Sequence, residues 1–123
     1  MILKFDFSAS DPLYMQLRNQ IVVGIAEGKL APGERLPTIR ALADECGINM
    51  MTVSKAYQLL KQEGYIETDR RSGACIARKQ GGSVPDATMK TLRICISELR
   101  LGGMQEEEIV RLCRSMYREG ENK

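Results

Sequence analysis

Thr38-Ile39-Arg40-Ala41-Leu42-Ala43-Asp44-Glu45-Cys46-Gly47-Ile48-Asn49-Met50-Met51-Thr52-Val53-Ser54-Lys55-Ala56-Tyr57-Gln58-Leu59-Leu60-Lys61-Gln62-Glu63 is the stretch that decides the fold. Thr38 can cap a helix that carries Ile39, Leu42 and Ala43 on one face and stops at Gly47. Asn49 can cap the next, which runs through Val53, Ala56, Tyr57 and Leu60 to Gly64, a good C-terminal glycine. A helix of about two turns, a short glycine-containing link and a second helix have the geometry in which the second helix can enter a DNA major groove.

The flanks extend the plan. Upstream, Leu13, Leu17, Ile21 and Ile25 recur every four residues on one helix face. Asp11 is the expected cap, with Pro12 in the first turn. Gly28 ends this helix and Pro32-Gly33 makes a turn. Residues 2–7 read as a short strand or an extended arm. Downstream, Tyr65–Thr68 and Cys75–Arg78 are strand candidates around the basic loop Asp69-Arg70-Arg71-Ser72-Gly73-Ala74, a hairpin that reads as a wing. Its cations suit phosphates, which supply salt-dependent affinity.

Gln80-Gly81-Gly82-Ser83-Val84-Pro85 is the clearest break in the chain. Beyond it, Leu92, Cys95 or Ile96, and Leu99 make an amphipathic helix that ends near Gly102-Gly103. Ile109, Leu112, Cys113 and Met116 share a face of the last helix. Glu106, Glu107 and Glu108 fall in its first turn and Arg111, Arg114 and Arg118 follow, as the helix dipole favours. The expected class is α+β, mostly α: a winged helix-turn-helix domain over 1–80, a linker over 81–85 and a two-helix dimerisation segment over 86–120. Two helices with one apolar stripe each cannot fold alone and must bury the stripes against the other subunit, the winged domain or both. Leu92, Ile96, Leu99, Ile109, Leu112 and Met116 are the expected dimer contacts.

Composition bounds the chemistry. The chain has 123 residues, 43% hydrophobic and 28% charged, with a net charge of +2. Residues 1–80 carry 11 basic and 9 acidic side chains, and 81–123 carry 7 of each. Binding to a polyanion would therefore use a few placed cations rather than bulk charge. The absence of histidine excludes Ser–His and Cys–His nucleophile pairs and His-ligated metal sites. Cys46, Cys75, Cys95 and Cys113 form no CxxC, so no zinc ribbon or redox pair is expected. They read as free thiols in a reducing cytoplasm, with Cys95 and Cys113 buried on apolar helix faces, and a redox sensor is the alternative. No catalytic group, metal or cofactor is expected. The first residues are too short and too charged for a signal peptide, and no apolar run could span a bilayer, so a cytoplasmic protein without a membrane partner is expected.

Pro32 through Ala43, Thr52 through Leu60, Glu63-Gly64-Tyr65-Ile66, and Pro12-Leu13-Tyr14 together resemble the GntR family of bacterial transcription regulators. The resemblance covers about residues 10–78. The short tail resembles the YtrA subfamily, which carries two helices in place of a large ligand-binding domain. The resemblance implies a winged-helix repressor that binds an inverted-repeat operator in double-stranded DNA as a homodimer, without naming a small-molecule effector. In the YtrA group the target is often the regulator's own operon with a transporter. The alternative is a winged-helix module that docks protein instead of DNA.

By the same resemblance, Arg40 matches an arginine used at the DNA. Asn49, Met50, Met51, Thr52 and Ser54 match the start of the recognition helix, and Gly73 matches the wing glycine. The side chains agree in part. Arg40 can fork onto a guanine edge or a phosphate. Thr52 and Ser54 are short donors for phosphate oxygens. Asn49 can bind phosphate or cap its helix, and Lys55 can bind phosphate or stay solvated. Arg35, Thr38, Arg70, Arg71 and Ser72 complete the expected DNA face, while Tyr57 is expected in the core. Two departures stand out. Arg71 occupies a glycine position of the family wing, removing backbone freedom and adding charge. Met50 and Met51 replace polar residues. A methionine cannot make a bidentate bond to a base but can pack on a thymine methyl. Of the two, Met51 is expected to tuck into the core.

Overall fold

The computed structural model describes residues 3–69, 73–80 and 82–119. It contains α1 (Leu13–Ala26), α2 (Ile39–Cys46), α3 (Met50–Gln62), β1 (Ile66–Asp69), β2 (Gly73–Ile76), α4 (Asp86–Leu101) and α5 (Glu106–Glu119). The contacts divide the chain into two units, Met1–Gln80 and Gly81–Lys123.

The first unit is built on apolar stripes that converge. Leu17 and Ile21 of α1, Leu42 of α2, Val53 and Leu60 of α3, and Ile76 of β2 are fully buried and form the centre of the core. Leu30, Leu36, Ala43, Ala56, Tyr57 and Ile66 close around them. Burying a Leu- or Ile-sized side chain contributes roughly 1.5–3 kcal/mol, so this set supplies the main stabilising force of the unit.

Local signals set the helix ends. Thr38 Oγ1 accepts from the Ala41 N–H at 3.1 Å, and Asn49 Oδ1 accepts from the Met51 N–H at 2.6 Å. Both expected caps therefore form. Gly47 closes α2 in the left-handed region, at φ 68°, where a side chain would be strained. The expected cap of α1 does not form. The helix starts at Leu13 behind Pro12, with no side-chain cap, and the Pro12 carbonyl accepts from Met15 and Gln16. Asp11 stands one residue too early for its carboxylate to serve as the cap.

Residues 3–6 form an arm with no strand among them, and a turn begins at Phe7. Gln16 and Gln20, one turn apart on α1, hold it by its backbone. Gln20 Oε1 accepts from the Lys4 N–H and Gln16 Oε1 accepts from the Asp6 N–H, at 3.0 and 2.9 Å. The same two side-chain amides donate back to the Lys4 and Asp6 carbonyls. A glutamine amide carries the donor and acceptor of a peptide group, so it can stand in for a neighbouring strand.

β1 and β2 pair antiparallel with Ile66 opposite Ile76 and Asp69 opposite Gly73. Each strand lies one or two residues from its expected span. A third stretch joins the hairpin. Gly33 N–H donates to the Ile76 carbonyl, Ile76 N–H to Glu34 and Leu36 N–H to Ala74, at 2.8, 2.8 and 2.9 Å. This pairing lies beyond the Pro32-Gly33 turn and has no alternating pattern in the sequence to announce it. Arg70, Arg71 and Ser72 lie outside the described residues.

In the second unit, α4 and α5 contact one another and are linked through Gly102-Gly103. Glu108 Oε1 accepts from the Gln105 N–H at 3.1 Å, half of a capping box at the start of α5. α4 has no buried residue, and α5 buries Ile109 alone. Leu92 and Met116 are exposed, and Ile96, Leu99 and Leu112 are half-buried. Cys95 and Cys113, expected to be buried, are both exposed. Apolar neighbours on a helix face do not bury a residue unless another surface packs on it. Cys75 is buried and Cys46 half-buried, and all four thiols are free.

Candidate nucleic-acid interface

A groove of about 760 Å³ runs between the start of α2, the outer face of α3 and the hairpin. Arg35, Thr38 and Arg40 line one wall, Ser54, Gln58 and Lys61 the helix side, and Thr68, Gly73 and Ala74 the hairpin side. Among the described residues, three cations and no carboxylate line it. α2 and α3 both begin without an acidic residue in the first turn, so their N-terminal partial positive charges add to the same sign.

The tertiary structure aims these groups. Arg35 bridges to Cys75 at the edge of the hairpin, which sets its exposed side chain beside β2. Arg40 is the second residue of α2, exposed, and among the described residues its guanidinium has no ion-pair partner. Tyr57 lies in the core as expected, and its hydroxyl donates to the Pro37 carbonyl at 2.8 Å. That bond ties α3 to the residue just before the α2 cap, fixing the two walls of the groove. Burial pushes the Tyr57 hydroxyl well above its ordinary pKa, so it stays a donor. On α1, Arg18 makes a two-bond fork to Glu63 at 2.9 and 2.8 Å and lies over the Tyr65 ring, bracing the far end of α3. Its partner Glu63 raises its pKa further.

The expected residues do not all meet in the groove. Arg35, Thr38, Arg40, Ser54 and Gly73 do. Asn49 is occupied as a cap, leaving its amide nitrogen for a further contact. Thr52 is half-buried in the first turn of α3. Lys55 is turned away, with its ammonium 4.2 Å from the centre of the Tyr14 ring on α1. Met50 is exposed at 45%. Met51 departs from expectation outright: it is 75% exposed, not in the core. Val53, Ala56, Tyr57 and Leu60 fill the inward stripe of α3, and Met51 is half a turn away from it. Gln58, Lys61 and Thr68 line the groove without having been singled out. The first two follow Ser54 at the i+4 and i+7 positions, a spacing that could have found them.

Burial and neighbouring Glu45 push the Cys46 thiol up, away from the reactive thiolate. No cluster of Cys, Asp and Glu suited to a metal ion occurs among the described residues.

Residues 13–76 match the sequence pattern of bacterial regulatory proteins, gntR family. The HTH-type transcriptional regulator Rv1152 of Mycobacterium tuberculosis is 43% identical over 76 residues, which span 62% of this chain and 63% of that relative. The HTH-type transcriptional repressor YtrA of Bacillus subtilis is 33% identical over 98 residues, 80% of this chain and 75% of its own length. A solved transcriptional antiterminator from Listeria monocytogenes superimposes with a TM-score of 0.89 at 28% identity, covering 98% of this chain and 92% of that one. AraR(DBD) in complex with operator ORX1 superimposes with a TM-score of 0.55 at 26% identity, covering 63% of this chain and 96% of that one. The family match takes in α1, the helix-turn-helix pair and the hairpin, the elements that build the groove, and the chain belongs to the gntR family of bacterial regulatory proteins.

Proposed function

We propose that this protein is a transcription repressor that binds an inverted-repeat operator in double-stranded DNA as a homodimer, through the groove face of the first unit and the α4–α5 tail. The observation that carries the reading is the groove itself: Arg35, Arg40 and Lys61 converge on it with no acid among its described lining residues. A polyanion fits such a surface, and a neutral or basic protein partner does not. A B-DNA major groove, about 12 Å wide, admits a helix such as α3. The operator named in the AraR structure supports duplex DNA as the ligand, and the repressor named YtrA supports the direction of control. Repression by excluding polymerase from a promoter needs no catalytic group.

The tail supports the dimer. Leu92 and Met116 expose 46% and 61% of their surface, and Ile96, Leu99 and Leu112 are only partly covered. Ile109 is already buried within the chain and has little further area to lose. A second copy would cover the rest. Two weak half-site readers joined this way gain affinity through effective concentration, and half-site spacing adds specificity. No helix among the described residues is long and apolar enough to cross a membrane, and the repressor would act in the cytoplasm.

The test is a duplex selected by the full chain from a random library, titrated with salt. Affinity is expected to fall steeply as salt rises, as it does when several phosphates are neutralised. Arg40→Ala is expected to weaken binding roughly tenfold, within the range of one lost guanidinium contact, with an unchanged thermal midpoint. Salt-insensitive binding, or an Arg40→Ala variant of full affinity, would remove the groove from the proposal.

A further inference from the structure

We propose that Met51 is a specificity-determining residue that reads thymine: its side chain covers the 5-methyl group of that base in the major groove. The inference rests on the DNA-binding reading above and deepens it.

Met51 is the second residue of α3 and 75% exposed. The buried stripe of the helix is Val53, Ala56, Tyr57 and Leu60. Directly opposite, at helical spacing, stand Met51, Lys55, Gln58 and Gln62. Met51 is the apolar member of that outer stripe and the one nearest the helix N-terminus. Its backbone is held in place by the 2.6 Å bond from its own N–H to Asn49 Oδ1, so the side chain projects from a fixed point.

The surroundings choose the occupant. Met51 shares α3 with Ser54, Gln58 and Lys61, which line the groove together with Arg35 and Arg40. The first turn of α3 holds no acid. An apolar side chain at the front of a cation-flanked helix suits a ligand that is polyanionic outside and apolar at one point inside. Among the four bases, thymine alone presents a methyl group on the major-groove edge. Methionine is long, unbranched and polarisable, and can follow that methyl over a range of base positions. A glutamine of the same length would instead seek a donor–acceptor pair.

The experiment uses the full chain and the duplex it selects from a random library. Each thymine is replaced singly by deoxyuridine, which removes the methyl and leaves the base pairing intact. At one position in each half-site, binding is expected to weaken about fourfold, the worth of one methyl-sized group taken out of water. Met51→Gln is expected to fold normally, to bind the unmodified duplex about fourfold more weakly, and to be indifferent to uracil at that position. Wild-type indifference to uracil at every position overturns the inference, and so does an equal loss in Met51→Gln. Failure to select any duplex would instead bring down the DNA-binding reading, and this one with it. Selection followed by indifference to uracil removes only the role of Met51.

Discussion

The two units solve the burial problem in opposite ways. In Met1–Gln80, three short helices, a hairpin and an edge segment each offer an apolar stripe, and the stripes meet in one core that leaves Leu17, Ile21, Val53 and Leu60 without exposure. In Gly81–Lys123, two helices as long as α1 or longer bury a single residue, Ile109. The difference is not one of composition, since Leu92, Ile96, Leu99, Leu112 and Met116 are as apolar as anything in the first unit. It is one of geometry: two helices have too few faces to enclose their own stripes. The first unit encloses its own core, whereas the tail leaves Leu92 and Met116 exposed.

That contrast is open to attack at several points. The largest effect is expected from Leu92→Asp, which puts a charge on the open face of α4. Light scattering should show monomers in place of dimers, and operator affinity should fall by roughly 10²-fold or more as the second half-site loses its effective concentration. A dimer that survives would move the contact away from this face. Next, Leu17→Ala should cost about 2–5 kcal/mol in denaturant unfolding, by the loss of a fully buried side chain and the cavity it leaves. The loss should be the same at every protein concentration. A concentration-dependent loss would mean that the first unit, too, leans on a partner.

The smallest effect sharpens the first unit. Tyr57→Phe should lose about 1 kcal/mol, the typical worth of one internal hydrogen bond, here to Pro37. It also tests pH dependence. The folded-state pKa of Tyr57 is raised, so above about pH 10, where the unfolded chain ionises, the folded state still holds its proton. That contribution to stability is intact below pH 10 and is lost as the pH rises further. Denaturant midpoints measured from pH 8 to 11 should fall more steeply in the wild type than in Tyr57→Phe. Parallel curves would show that the hydroxyl is not buried as described.

Much of the first unit is legible because its signals are local. Thr38 and Asn49 announce their caps, Gly47 and Gly64 the ends of α2 and α3, and the fourfold spacing from Leu13 to Ile25 announces α1. Legibility fails where a partner is distant in sequence. The pairing of Gly33, Glu34 and Leu36 with β2 joins segments some forty residues apart, and Gln16 and Gln20 reach back to an arm that has no pattern of its own. Lys55 reads as one more cation beside Ser54, yet Tyr14 draws it toward α1. Met51 reads as core by residue type, yet its phase on α3 places it outward.

The amino-acid sequence by itself determined the helix-turn-helix, its caps and its family, because capping, glycine stops and periodic stripes act over a few residues. It also determined that the chain lacks histidine and with it the commonest acid–base and metal chemistry. Only the tertiary structure decided which cations share a groove. Arg35, Arg40 and Lys61 lie on three different segments, and their convergence depends on how the core packs those segments together. It likewise decided that Ile109 is buried while Leu92 and Met116 stay exposed, since an apolar residue is buried only when another surface comes to cover it.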